Sequence, residues 1–116
     1  MGSLDDSRQS ERRHATVLFA DISGFTALSE RLDPEVVTGV INHCYEILER
    51  IVITHGGTVA QYQGDCMVAL FGVPAAIEDA ARQAVNAAIE IRNRLHEFDE
   101  QQQLPVQLDI HMGLNS

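Results

Sequence analysis

The 116 residues are enough for one modest domain, and with 45% hydrophobic residues the chain can bury a real core, which excludes a disordered tail. A formal net charge of -9 argues against direct contact with nucleic acid or an anionic membrane, since both need clustered positive charge. No apolar run approaches the roughly 20 residues of a membrane span, and the polar start Met1-Gly2-Ser3-Leu4-Asp5-Asp6 is not a signal peptide, so a cytoplasmic location is expected.

In chain order, residues 1–13 read as a flexible lead-in, with Met1-Gly2-Ser3 resembling a cloning remnant. The domain is expected over 14–116. Residues 14–21 read as a largely buried strand ending on Asp21. Gly24 to Leu32 reads as a short helix with Phe25, Leu28 and Leu32 on one face. Asp33-Pro34-Glu35 is a helix start, with a capping acid, proline at the first position and an acid in the first turn. Apolar residues from Val36 to Val52 keep helical spacing until His55-Gly56-Gly57. Thr58–Gln63 alternates as a strand, Gly64-Asp65 is a two-residue turn, and Cys66–Phe71 is the returning strand.

Glu78-Asp79 opens a long helix whose inward face is expected to carry Ala80, Ala81, Ala84, Val85, Ala88, Ile89, Leu95 and Phe98, with the stem of Arg92. Gln101-Gln102-Gln103 reads as a loop. Val106–Met112 reads as a last strand, with Val106, Leu108, Ile110 and Met112 opposed to Gln107, Asp109 and His111. Strand, two helices, hairpin, helix, strand predicts an α+β, ferredoxin-like sheet with helices on one face.

In such a sheet the first strand is central and its end lies near the hairpin tip. That brings together Asp21 and Asp65, 44 positions apart. Paired carboxylates are hard ligands suited to Mg²⁺ or Mn²⁺. The intervening Ile22-Ser23-Gly24-Phe25-Thr26 offers backbone N–H groups at a helix start, where an anion can sit close to a glycine. The simpler reading is that Asp21 and Ser23 cap a helix and Asp65 is an ordinary turn acid.

The strings VLFADISGFTALSERLDPEVV, HGGTVAQYQGDCMVALFGVP, EDAARQAVNAAIEIRNRL and LDIHMGLNS together resemble the class III nucleotide cyclases, the adenylate and guanylate cyclase catalytic domains, and among them a bacterial adenylate cyclase. The resemblance runs from about residue 14 to 116. It implies conversion of ATP to cyclic AMP and pyrophosphate, in intracellular signalling, by attack of the ribose 3′-hydroxyl on the α-phosphate. It implies two Mg²⁺ or Mn²⁺ ions on Asp21, Asp65 and the Ile22 carbonyl, with the β- and γ-phosphates over Ser23, Gly24, Phe25 and Thr26. It also implies a dimer with each site built from both chains.

Two departures qualify this. ATP-using members carry lysine four residues before the second acid, where this chain has Gln61, an uncharged donor and acceptor that fits either purine, so GTP enters as a second substrate. The family's later asparagine and arginine, which stabilise the transition state, have no counterpart among these residues, and Asn115 lies too early to be one of them. The 116 residues alone are therefore expected to be inactive, and an uncovered sheet edge is expected to drive a homodimer or strand exchange. The competing reading is a non-catalytic cyclase-homology module that binds nucleotide or only dimerises; an unrelated palm-type domain is a third. Cys44 and Cys66 are expected as core residues, the five histidines as helix-face, cap or solvent positions, Arg82, Arg92 and Arg94 as solvent-facing, and Glu30, Glu46, Glu49, Glu90 and Glu97 as solvated helix faces.

Overall fold

A computed structural model describes residues 15–63, 66–74 and 76–116. The elements follow the expected order: β1 (Thr16–Ser23), α1 (Phe25–Ser29), α2 (Pro34–Thr54), β2 (Thr58–Gln63), β3 (Cys66–Phe71), α3 (Ala80–Gln102) and β4 (Asp109–Asn115). The strands form one antiparallel sheet in the order β2-β3-β1-β4. This is the expected α+β arrangement, with β1 central.

Strand parity divides the sheet into two faces. Leu18, Ala20 and Ile22 of β1 and Met67, Ala69 and Phe71 of β3 point to the helices and are buried. They meet Cys44, Leu48, Ile51 and Val52 of α2 and Ala84, Ala87, Ile91 and Leu95 of α3 in one core. The alanines let α3 lie close on the sheet, as their spacing suggested. Gly57 belongs to the same packing, because a Cβ there would stand 2.6 Å from the Phe71 ring. On the other face lie Val17, Phe19, Asp21 and Ser23, and Phe19 is 41% exposed.

The structure corrects the sequence reading in several places. β1 extends to Ser23, so Asp21 lies inside the strand, and the strand is buried on one face only. α1 is shorter than expected, ending at Ser29, although Leu32 still packs against the core. The buried stripe of α3 is Ala80, Ala84, Ala87, Ile91, Leu95 and Phe98, while Val85 (43% exposed) and Ile89 (54%) face solvent. A run of small and apolar residues on both flanks of this helix made the phase ambiguous, and the larger buried side chains decide it. Gln101 and Gln102 complete α3 rather than forming a loop, and β4 begins at Asp109 and runs on to Asn115.

Asp33 occupies the N-cap of α2, ahead of Pro34, but its side chain makes no capping bond; Asp79 heads α3 in left-handed backbone, φ 51°, again without one. β2 does not alternate throughout. Its pairing with β3 shifts between Val59 and Gln61, which leaves Ala60 as the extra residue of a bulge.

His55 ends α2 and reaches α3, its Nδ1 3.3 Å from Gln83 Oε1 and its Nε2 3.1 Å from Glu90 Oε1. Glu90 is therefore a partner across helices rather than a free surface charge. The same holds for Glu49, which accepts a hydrogen bond from the Tyr62 hydroxyl. Arg82 and Arg94 are exposed, as expected, and Arg92, whose stem was expected on the inward face, is exposed as well. Cys44 is fully buried, and both cysteines are free. Among the described residues no helix is long and apolar enough to cross a membrane.

Candidate active site

Antiparallel pairing places directly opposed residues on the same face of a sheet. Asp21 of β1 lies opposite Cys66 of β3 on one side and His111 of β4 on the other. One row further, Phe19 lies between Val68 and Gly113, and Val68 lies opposite Gln61 of β2. Ser23 lies opposite Asp109. All of these residues stand on the face away from the helices, so Asp21 and Gln61 share one open surface.

The bulge at Ala60 makes this arrangement compatible with the core. It lets Val59 pack inward opposite Ala69 while Gln61, two residues later, turns outward opposite Val68. In an unbroken strand those two residues would share a face. Tyr62 then falls on the helix side, where its ring meets Tyr45 edge-on at 5.4 Å and its hydroxyl donates to Glu49. Burial and the Glu49 carboxylate both push the Tyr62 phenol upward.

The two expected metal acids stand differently. Asp21 is exposed, and among the described residues its carboxylate has no hydrogen-bond or ion-pair partner. Asp65 and Gly64 lie outside the described residues; the residue after them in sequence, Cys66, is the cross-strand neighbour of Asp21. Ile22 is buried, its side chain in the core, and contributes only backbone to the open face. Among the described residues no three His, Cys, Asp or Glu side chains form a ready-made metal cluster. The donor set nevertheless fits a hard divalent ion in kind: on the open face of the central strand, a carboxylate with no partner among the described residues, with a second acid one residue before its cross-strand neighbour.

The helix-cap reading of Asp21 and Ser23 does not hold. α1 is preceded by Gly24 in left-handed backbone, φ 109°, and no side chain caps it. A side chain at Gly24 would be strained by that φ and would crowd Gln107 O at 3.1 Å and Leu108 Cδ2 at 3.2 Å. Phe25 is a buried anchor, 8% exposed, whereas Ser23 and Thr26 are exposed. The stretch 22–26 thus presents backbone and two hydroxyl residues at the end of β1, next to Asp21.

Sequence reasoning passed over two members of this surface. His111 is exposed, as a solvent position should be, but it is also the cross-strand neighbour of Asp21. Its alternation with Asp109 gave its face, but only the β1–β4 register gives its neighbour. Phe19 reads in sequence as part of a buried run, whereas in the structure it is 41% exposed on the open face.

Comparison with known proteins places this arrangement. Residues 8–116 match the family model of the adenylate and guanylate cyclase catalytic domain. Adenylate cyclase 1 of Rhizobium meliloti is 32% identical over 95 residues, covering 82% of this chain and 14% of that protein. The crystal structure of the adenylyl cyclase CyaB from P. aeruginosa superposes with a TM-score of 0.79 at 35% identity, over 87% of this chain and 54% of that one. The guanylyl cyclase Cya2 superposes with a TM-score of 0.71 at 33% identity, over 87% and 53%. The chain therefore spans about half the length of these solved domains.

Proposed function

The chain belongs to the adenylate and guanylate cyclase catalytic-domain family, and from that membership we propose that it is the metal- and phosphate-binding portion of a class III adenylate cyclase acting in cytoplasmic signalling. The parent protein converts ATP to cyclic AMP and pyrophosphate. A bond forms between the ribose 3′-oxygen and the α-phosphorus, the bond to the β-phosphate oxygen breaks, and the hydroxyl proton is lost. Asp21, Asp65 and the Ile22 carbonyl would hold two Mg²⁺ or Mn²⁺ ions. When bound, such ions ease ionisation of the hydroxyl and neutralise charge on the phosphates.

The chain's own residues have separate tasks in this reading. Asp21 supplies fixed negative charge within a rigid central strand, two residues before its end. Ser23 to Thr26 receive the β- and γ-phosphates, with Gly24 keeping the backbone free of side-chain bulk. Gln61 donates to or accepts from a purine edge, and without a charge it separates adenine from guanine weakly. The active protein is a homodimer whose two open faces complete each other's sites. Because these 116 residues hold no counterpart of the transition-state asparagine and arginine, this stretch alone turns over poorly: each such donor is worth about 10²–10³ in rate.

The observation that supports this most is the exposed Asp21, without a partner among the described residues and opposite the residue that follows Asp65. Calorimetry with Mn²⁺ and a non-hydrolysable ATP analogue tests it. Binding is expected in the wild type and lost in Asp21→Ala; no binding, or unchanged binding in the variant, overturns the assignment. A second reading, a non-catalytic cyclase-homology module, draws on Gln61 and on the half-length coverage of solved cyclases. It shares the binding result but predicts no turnover in any longer form of the protein.

A further inference from the structure

The start of β2 is held with one face inward. Gly57 lies close against the Phe71 ring, and Val59 packs onto the core opposite Ala69. Plain alternation from Val59 would send Ala60 outward, Gln61 inward and Tyr62 outward. The strand does the reverse after Ala60: Gln61 lies outward opposite Val68, and Tyr62 lies on the helix side opposite Met67. Val59 and Tyr62 are three positions apart, and a regular strand cannot turn both inward. The extra residue at Ala60, small and exposed, resolves that conflict.

The pull on Tyr62 comes from α2. Its ring meets Tyr45 edge-on at 5.4 Å, and its hydroxyl donates to the Glu49 carboxylate. Tyr62 is itself 43% exposed, so these contacts with α2, rather than enclosure in the core, keep it on the helix side.

We propose that Tyr62, gripped by Tyr45 and Glu49, is a positioning residue for base selection: it sets the phase of β2 that turns Gln61 to the open face. The inference rests on the reading of Gln61 as the purine contact, and adds that this contact is controlled from the opposite side of the sheet. Without the grip, β2 slips by one residue into the alternation that Val59 favours. Ala60 then comes opposite Val68 and Gln61 opposite Met67. On that side the Gln61 amide can donate to the Glu49 carboxylate that Tyr62 has left, so the slipped strand keeps its polar groups satisfied.

Nuclear Overhauser contacts across β2 and β3 read the phase without nucleotide, with circular dichroism confirming that each variant is folded. In the wild type, contacts are expected between Gln61 and Val68. In Tyr62→Ala they are expected to move to Gln61 and Met67. Glu49→Ala, a milder change that removes only the hydrogen bond, is expected to populate both sets and serves if Tyr62→Ala does not fold. Deleting Ala60 from Tyr62→Ala is expected to restore the Gln61–Val68 pair, because the shortened strand then reaches it by plain alternation from Val59. A role in stability alone would not be rescued by losing a residue.

Competition between ATP and GTP analogues with Mn²⁺ reads the consequence. Both carry the same triphosphate, so the ratio of affinities reports the base. The preference for ATP of about fivefold expected in Gln61→Lys is expected to vanish on adding Tyr62→Ala and to return on deleting Ala60. A Gln61–Val68 pair that persists unchanged in every folded variant overturns the proposal. So does a base preference that survives loss of that pair. A wild type that binds neither nucleotide sinks the proposed function instead, and the contacts between β2 and β3 still decide whether Tyr62 sets the phase.

Discussion

Asp21 owes its availability to strand parity. Leu18, Ala20 and Ile22 are held in the core, and the intervening residues must then face the other way. Gln61 reaches the same face only because β2 gains a residue at Ala60. If Gln61 reads the purine, Gln61→Lys introduces a charged donor where ATP-using members carry lysine. Charged hydrogen bonds exceed neutral ones by about 1 kcal/mol, so competition binding is expected to favour an ATP analogue over a GTP analogue about fivefold more than in the wild type.

The two cysteines separate on the same physical grounds. Burial, reinforced by the Asp99 carboxylate, pushes the Cys44 thiol up to about 12 from an ordinary value of 9.0. The neutral thiol is favoured by folding, so its contribution is whole below pH 9 and is lost as pH rises toward 12. The denaturation midpoint is expected to fall across that window more in wild type than in Cys44→Ala. With a thiol reagent at pH 8, Cys66 should label in the folded protein and Cys44 only on unfolding.

At the scale of elements, the order and type of the seven segments could be read from periodicity and punctuation. Pro34 after Asp33 marks the start of α2, and His55-Gly56-Gly57 marks its end: Gly57 N bonds to Val52 O at 2.9 Å and Gly56 takes φ 85°. What could not be read was which of two near-equivalent faces of α3 turns inward. Both offer alanines and large aliphatics, and only packing against the sheet in the shared core selects the Ile91 side. The choice is measurable with one residue type. Ile91→Ala removes a fully buried side chain and is expected to cost about 2–5 kcal/mol in chemical denaturation. Ile89→Ala, two positions away and 54% exposed, is expected to cost about 0.5 kcal/mol or less. Equal losses would contradict the observed helix phase. The site was legible in a similar, partial way: Asp21 and the Gly24 turn announced themselves by type and spacing, whereas the His111 neighbour depends on a register between strands nearly 90 positions apart, which no local pattern encodes.

For the whole molecule, the account joins a four-stranded sheet with one covered face to a family whose members act on nucleotides. The covered face holds the core and gives rigidity to β1 and β3. The open face holds Asp21, Phe19, Gln61 and His111, and it is this face that the proposed function uses. The most direct test is to locate the metal. With amide resonances assigned, Mn²⁺ added with a non-hydrolysable ATP analogue should broaden the signals of Asp21, Ile22, Cys66 and His111 first and leave Gln83 and Glu90 on the far side of α3 sharp. The same titration of Asp21→Asn should lose that selective broadening. Uniform broadening, or broadening centred on the acids of α3 such as Glu97 and Glu100, would contradict the placement of the metal and phosphate site at the end of β1.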